Sequence, residues 1–391
     1  MKKTSSYNIR LYALMLSATT FVLNFTLIQP IFNIYLTTKG ITLVQLGVLL
    51  SVQNFIPLIL RIPISELIER IGRIPSMIIS LIISGIGTFL FIPAQGYTQL
   101  MLVVLFGTIS ASSFNQTAMS TVSDAAPQSR QGDAMGRYLT FLGLGMLIGP
   151  ALCSWLVEPL GYEGLFWVAG IVPVLGIALL IFMAPENIRK RERTDTPTIS
   201  TSESLRMILK NKNVLLLSYC RASFSASQAI FLALFSIYAA EQLGFSDSAI
   251  AFLFTIRGFF NMISRFPAGT LSDRIGRKPL MYGGYALLVV SFIIIAVTGN
   301  FLLLGVSMTL YGLCWGTRAV AEWAFLTDLV EPEIKTMSIS YLSSVFSLGS
   351  TLGSVASGFL TVLFPYSTIF LIGAAINLGA LPAIYVMKKK P

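Results

Sequence analysis

Twelve stretches of this chain run for about 20 residues with few charges, and short polar segments divide them. Roughly 20 mainly apolar residues are what a helix needs to cross a bilayer. The stretches are 11–36, 43–65, 75–94, 98–121, 138–158, 164–184, 213–240, 248–268, 279–298, 301–326, 338–362 and 366–387. Lipid offers no partner to bare backbone groups, so each span is a helix or a strand of a closed barrel. Barrel strands alternate apolar and polar residues over about 10 positions. The run from Met77 to Phe91 does not alternate. The pattern predicts an all-α polytopic membrane protein with twelve transmembrane helices.

Charge supplies the orientation. Only 11% of the residues are charged, against about 25% in soluble proteins. The net charge of +10 raises nucleic acid as a partner, but the Lys and Arg residues lie in short loops between apolar stretches. That placement is topology control, so no nucleic acid is expected. With both termini and the even-numbered loops taken as one side, that side holds 23 of the 27 Lys and Arg residues. The opposite loops hold Lys39 alone, and Arg221, Arg257 and Arg318 lie inside spans. The positive-inside rule then puts both termini in the cytoplasm. The expected location is the cytoplasmic membrane of a prokaryote. The basic Met1–Arg10 segment leads into a stretch longer than a signal-peptide core, so that stretch is read as a retained first span.

There are no histidines, and the three cysteines, Cys153, Cys220 and Cys314, fall inside apolar stretches without a CxxC spacing. Neither a metal site nor a cofactor is expected. The longest polar segment, 185–212, carries seven Lys or Arg residues with Pro, Ser and Thr. It reads as a solvated cytoplasmic linker between one six-span bundle at 1–184 and another at 213–391.

The two halves repeat. Residues 61–75, RIPISELIERIGRIP, match 265–279, RFPAGTLSDRIGRKP, at eight of fifteen positions with an offset of 204. Chance would give about one identity at ordinary residue frequencies. Glu69 pairs with Asp273 in this register, Gly40 with Gly244, Asp124 with Asp328, Gly145 with Gly349 and Gly149 with Gly353. Two parallel six-span repeats suit a transporter whose binding site lies between them.

The segment GTLSDRIGRK, Gly269 to Lys278, resembles the signature loop of the major facilitator superfamily between spans two and three and again between eight and nine. The first copy departs from it, with Ser65 where the family has Gly and Glu69 where it has Asp. The resemblance implies the major facilitator fold, alternating access, and a gating role for Ser65, Glu69, Arg70, Gly72 and Arg73, and for Gly269, Asp273, Arg274, Gly276 and Arg277. Small residues let helix ends approach closely. Gly72 and Gly276 permit a tight reversal, and the arginines can hold carboxylates in a bistable contact. Plain positive-inside anchoring is the competing reading of these charges. In span five, Gly145, Gly149 and Pro150 resemble part of the motif typical of the family's antiporters. Ordinary close packing of a kinked helix explains them as well.

The resemblance also implies that spans one, four, seven and ten line the central cavity. Polar residues recur there at helical spacing: Asn24 on span one, Gln116 on span four, Gln228 on span seven and Trp315 on span ten. Arg221, Arg257, Arg318 and Glu322 lie deep inside spans seven, eight and ten, whereas their counterparts 204 residues earlier are Ser17, Gln53, Phe114 and Ala118. A charge at a helix centre costs at least about 2.5–3.5 kcal/mol. Since one half does without these charges, they are read as functional and expected to form one cluster with Trp315, Gln228, Asn24 and Gln116 as substrate contacts. Arg318 stands one turn before Glu322, which argues against Glu322 as a free proton carrier in every state.

Three arginines against one glutamate favour an anionic or strongly polar small-molecule substrate. A monomeric secondary transporter resembling the drug or metabolite efflux branch, with protons as the coupling ion, is the leading reading. Uptake or exchange of an organic anion at the arginine cluster is the alternative. An ATP-driven pump would need a Walker A sequence, and an enzyme a nucleophile or acid–base pair; neither pattern is found. A membrane sensor would normally carry a soluble domain, and 185–212 is too short for one.

Overall fold

The structure, a computed structural model, describes residues 2–125, 131–183 and 200–387. These residues are helical almost throughout, and no strand occurs among them. In chain order the helices are α1 (Lys2–Thr38), α2 (Leu43–Ile71), α3 (Arg73–Leu90), α4 (Gly96–Ala125) and α5 (Gln131–Met183). There follow α6 (Thr201–Lys210), α7 (Lys212–Glu241), α8 (Asp247–Ile275), α9 (Arg277–Val297), α10 (Phe301–Leu329), α11 (Lys335–Leu363), α12 (Tyr366–Leu378) and α13 (Ala380–Val386).

Among the described residues, nine helices are long and apolar enough to cross a membrane, or ten with the bent α8. Twelve spans were expected, and two features account for the difference. At 53 residues α5 holds two expected spans, divided at Gly161 with φ 64°. Its length far exceeds the roughly 20 residues of one crossing. Helix α10 carries Arg318, Glu322 and Asp328, which dilute its apolar character. Helix α8 bends by 52° between Arg265 and Pro267, where the proline ring removes a backbone donor and crowds the preceding turn.

The 185–212 segment differs from the expected linker at its end. Residues 201–210 form α6, whose N-terminus is capped by Ser200 Oγ accepting from the Glu203 amide at 3.2 Å. Ser200 with Glu203 makes the capping pattern that nucleates a helix in a polar stretch. Residues 185–199 lie outside the described part.

The chain forms two compact units. The first holds α1, α3, α4, α5, most of α2 and Phe245–Thr255 with the start of α8; the second holds Thr42–Phe55 with the start of α2, α6, α7, the rest of α8, and α9–α13. Glycines set the closest helix contacts within each. A Cβ on Gly145 would lie 3.0 Å from the Thr19 carbonyl oxygen, and one on Gly149 2.8 Å from the Leu27 nitrogen, so α5 packs against α1 backbone. In the second unit a Cβ on Gly349 would lie 2.7 Å from the Ala222 carbonyl oxygen, and one on Gly353 2.7 Å from the Ala226 Cα, so α11 packs on α7 likewise. The 204-residue repeat therefore carries the same close helix pairing in both units. Gly72 (φ 99°) and Gly276 (φ 95°) make the one-residue reversals from α2 to α3 and from α8 to α9, a backbone region that side chains other than glycine rarely tolerate.

Candidate functional site

The second unit buries an ionic cluster among three helices. Arg318 and Glu322 lie one turn apart on α10 and form an ion pair in which both are essentially inaccessible. Arg221 on α7 donates from Nη1 to the other carboxylate oxygen at 2.9 Å. The Tyr285 hydroxyl on α9 lies 2.8 Å from Glu322 Oε1 and also within reach of the Cys220 carbonyl. It has one proton to donate, so it serves one of these acceptors at a time. Gly284 makes room, since a Cβ there would come within 3.0 Å of the Arg318 Cβ. Aromatic faces cover the surplus charge: the Arg318 guanidinium lies 3.4 Å from the Phe224 ring centroid, and that of Arg221 lies 4.5 Å from Trp323 and 5.1 Å from Phe346. Each such contact is worth about 0.5–2 kcal/mol. One carboxylate between two guanidinium groups leaves a formal +1.

The first unit fills the equivalent place differently. At minus 204 the four residues are Ser17, Leu81, Phe114 and Ala118. Leu81, Phe114 and Ala118 belong to that unit's hydrophobic core, where Phe114 stacks on Phe21 at 4.2 Å. Ser17 is fully buried and donates to the Leu14 carbonyl of its own helix. The same helical framework thus closes well around apolar side chains.

Arg257 was expected in the ionic cluster, and it stands apart from the Glu322 pair. Its guanidinium lies among aromatic rings, 5.3 Å from Phe231, 5.6 Å from Tyr311 and 5.6 Å from Trp315. The physical reason is its helix. Gly312 and Gly316 on α10 let α8 approach closely, with the Asn261 carbonyl oxygen 2.7 Å from where a Gly316 Cβ would stand. That approach delivers Arg257 to the Tyr311–Trp315 stretch of α10, about two to three turns before Glu322. Gln228 on α7 is buried, and its Oε1 has no partner.

Asn24 belongs to the first unit and acts there as an interhelical tie. Its Nδ2 donates to Thr88 Oγ1 at 3.0 Å and to the Ala169 carbonyl at 2.8 Å, while its Oδ1 accepts from Ser84 Oγ at 2.7 Å. The side chains of Gln116 and Ser65 lie outside the described part.

The repeated loop shows a repeated ion pair. Arg73 meets Asp124 at 2.7 Å in the first unit, and Arg277 meets Asp328 at 3.3 Å in the second. Arg277 also pairs with Asp273 and donates to Ser272 Oγ at 3.0 Å. Each loop arginine is thereby tied to the C-terminal end of a helix of its own unit, α4 in the first and α10 in the second. Glu69, Arg70 and Arg274 are exposed. Gly269 was expected to permit a close helix approach. Among the described residues no atom would meet a Cβ there, so the close approaches fall at Gly312 and Gly316 instead. Gly145 and Gly149 pack against α1, with Pro150 buried beside them.

Sequence reasoning missed Tyr285, Phe224, Trp323 and Phe346. The repeat register could have found Tyr285, because its counterpart is Leu81 and the exchange of an apolar for a polar residue parallels that of the charges.

Comparison with known proteins agrees with this architecture. The sequence profile described as Major Facilitator Superfamily matches residues 14–246 and 217–391. An uncharacterized MFS-type transporter of Methanocaldococcus jannaschii is 21% identical, covering 94% of this chain and 95% of that protein. The multidrug resistance protein MdtG of Proteus mirabilis is 23% identical over 90% of this chain and 89% of its own length. A cis,cis-muconate transport protein of Acinetobacter baylyi is 22% identical over 82% of this chain and 80% of its own. Among solved structures, the nucleoside transporter NupG superposes with a TM-score of 0.78 at 15% identity, covering 98% of this chain and 100% of that one.

Proposed function

The chain belongs to the Major Facilitator Superfamily, and from that premise we propose that it is a secondary active transporter exporting a small anionic solute across the cytoplasmic membrane in exchange for protons. One observation carries the reading. The second unit places two arginines and a glutamate where the first unit, on the same framework, has an apolar core. Buried ion clusters seldom stabilise a protein more than well-packed apolar residues of similar volume. A cluster that the fold does not require is one retained for work.

The work follows from its parts. The formal +1 attracts an anion, and the planar fork of arginine suits a carboxylate or phosphate. Glu322 is the site through which a proton couples. Arg221 comes from a different helix than Glu322, so relative movement of α7 and α10 parts them and removes one of the two positive charges that keep the carboxylate ionised, Arg318 on the same helix being the other. The drug-resistance name of the MdtG relative supports export. Uptake or exchange of an organic anion is the second reading, favoured by the arginine excess and by the name of the muconate relative.

Inside-out proteoliposomes with an imposed pH gradient separate the two. Solute accumulation driven by an acid interior, with proton efflux, supports export. Accumulation only against a preloaded anion, insensitive to the gradient, supports exchange. No flux of any solute under either drive refutes both.

A further inference from the structure

The ionic cluster does not exhaust the polar groups buried in the second unit. Among the buried side chains that hold a polar atom without a partner are Gln228 Oε1 on α7 and Asn261 Nδ2 on α8, each at least nine-tenths buried, and the fully buried Tyr311 on α10 turns its hydroxyl to Arg257. Leaving such atoms unsatisfied is costly, and native proteins do so rarely. Arg257 lies one turn before Asn261 on α8, and the Tyr311 ring faces its guanidinium. Phe231, one turn beyond Gln228 on α7, and Trp315, one turn beyond Tyr311 on α10, supply the other two ring faces.

The first unit again provides the control. The residues 204 positions before Arg257, Asn261, Phe231, Tyr311 and Trp315 are Gln53, Pro57, Leu27, Gly107 and Ala111, all but Gln53 in the first unit. The counterpart of Gln228 is Asn24, whose amide is engaged at both its nitrogen and its oxygen. The stranded atoms are thus particular to the second unit.

Taking the transporter reading as its basis, we infer that Arg257, Asn261, Gln228 and Tyr311, walled by Phe231 and Trp315, form a recognition subsite for a planar aromatic carboxylate bearing a ring hydroxyl. The chemistry assigns the ends. Arg257 and the Asn261 amide are donors and take the carboxylate. Gln228 Oε1 is an acceptor and takes the ring hydroxyl. The aromatic faces take the flat ring, and Tyr311 donates or accepts as the pose requires. The Arg318–Glu322–Arg221 group lies further along the same helices and acts on the proton, so substrate recognition and coupling occupy neighbouring parts of α7 and α10.

Titration calorimetry of the purified full chain in lipid nanodiscs tests this with four probes: 4-hydroxybenzoate, benzoate, cyclohexanecarboxylate and 4-hydroxybenzamide. 4-Hydroxybenzoate should bind tightest. Loss of the hydroxyl should weaken binding about 2- to 10-fold and loss of the carboxylate charge roughly 10- to 100-fold. Benzoate should exceed cyclohexanecarboxylate by about 2- to 10-fold. In Gln228→Leu the preference for 4-hydroxybenzoate over benzoate should vanish while benzoate affinity stays. Equal affinity for all four probes, or no saturable binding of 4-hydroxybenzoate, overturns the assignment, and the probe series decides even if the variant fails to fold. Flux in proteoliposomes distinguishes the two readings. Proton-driven transport of some other solute without 4-hydroxybenzoate binding sinks the subsite and leaves the transporter. Probe binding in the stated order without any proton-driven flux supports the subsite and sinks proton-coupled export.

Discussion

The first unit suggests a direct experiment on the second. Substituting Arg221→Ser, Tyr285→Leu, Arg318→Phe and Glu322→Ala together installs the residues found 204 positions earlier. Glu322→Ala alone removes the carboxylate that holds Arg221 at 2.9 Å, pairs with Arg318 and accepts from Tyr285 at 2.8 Å. The formal charge of the cluster rises from +1 to +2 with no acid left in it. Breaking a buried pair in this way costs about 3–5 kcal/mol. For a unit of about 150–250 residues this lowers the melting temperature by about 6–20 °C. The fourfold variant removes all the charge, and such replacements are neutral or stabilising by about 1–4 kcal/mol when the volume is filled. Ser and Ala are smaller than the residues they replace, and the resulting cavity offsets part of that gain. The fourfold variant should therefore melt close to or above the native protein, and above Glu322→Ala, yet show no proton-coupled transport. Thermal unfolding in detergent followed by tryptophan fluorescence, with proteoliposome flux, reads both quantities. A fourfold variant as unstable as Glu322→Ala would make the cluster architectural, and one that transports normally would remove it from the mechanism.

Three further outcomes follow from the geometry. Asp273→Asn removes one of the two acids on Arg277, both well exposed, so stability should change by less than about 1 kcal/mol while transport rate falls; an unchanged rate would reduce the loop to a topology signal. Gly353→Val forces a side chain into the Ala226 backbone and should abolish folded protein on size exclusion, whereas Gly269→Ala, facing open space among the described residues, should behave as native. Asn24→Ala removes three buried hydrogen bonds and should lower the melting temperature without altering the Kd for 4-hydroxybenzoate; a weakened Kd would return Asn24 to the binding site.

Most of the architecture was legible because its signals are local and cumulative. Apolar length and charge bias report each span separately, so an error in one does not spread. The repeat then ties the halves together, and it carried more than was drawn from it. Arg73 with Arg277 and Asp124 with Asp328 were both in register, and two opposite charges kept through one duplication are candidates to touch. They do, at 2.7 Å and 3.3 Å. The loop from α8 to α9 was legible to the residue, since Gly276 must adopt positive φ. Resolution failed where the answer depended on how helices rotate against each other. Arg318 and Glu322 share a helix, so spacing alone placed them together. Arg257 reaches its neighbours across a helix contact set by Gly312 and Gly316, and no one-dimensional pattern says which rings it will meet.

The same distinction explains why Asn24 and Gln228 looked alike in sequence and differ in the fold. They are equivalent positions of the repeat, both amides, both buried. Asn24 finds Ser84, Thr88 and the Ala169 carbonyl around it. The counterparts of Ser84 and Thr88 in the second unit are Leu288 and Phe292, which offer Gln228 nothing to bond. Asn24 is saturated and ties helices together, whereas the Gln228 oxygen is unmet, which is the observation the proposed subsite starts from. The duplication therefore left buried charge and polarity in the second half at positions where the first half is apolar or saturated. The site is best sought wherever the second half departs from the first at a buried position.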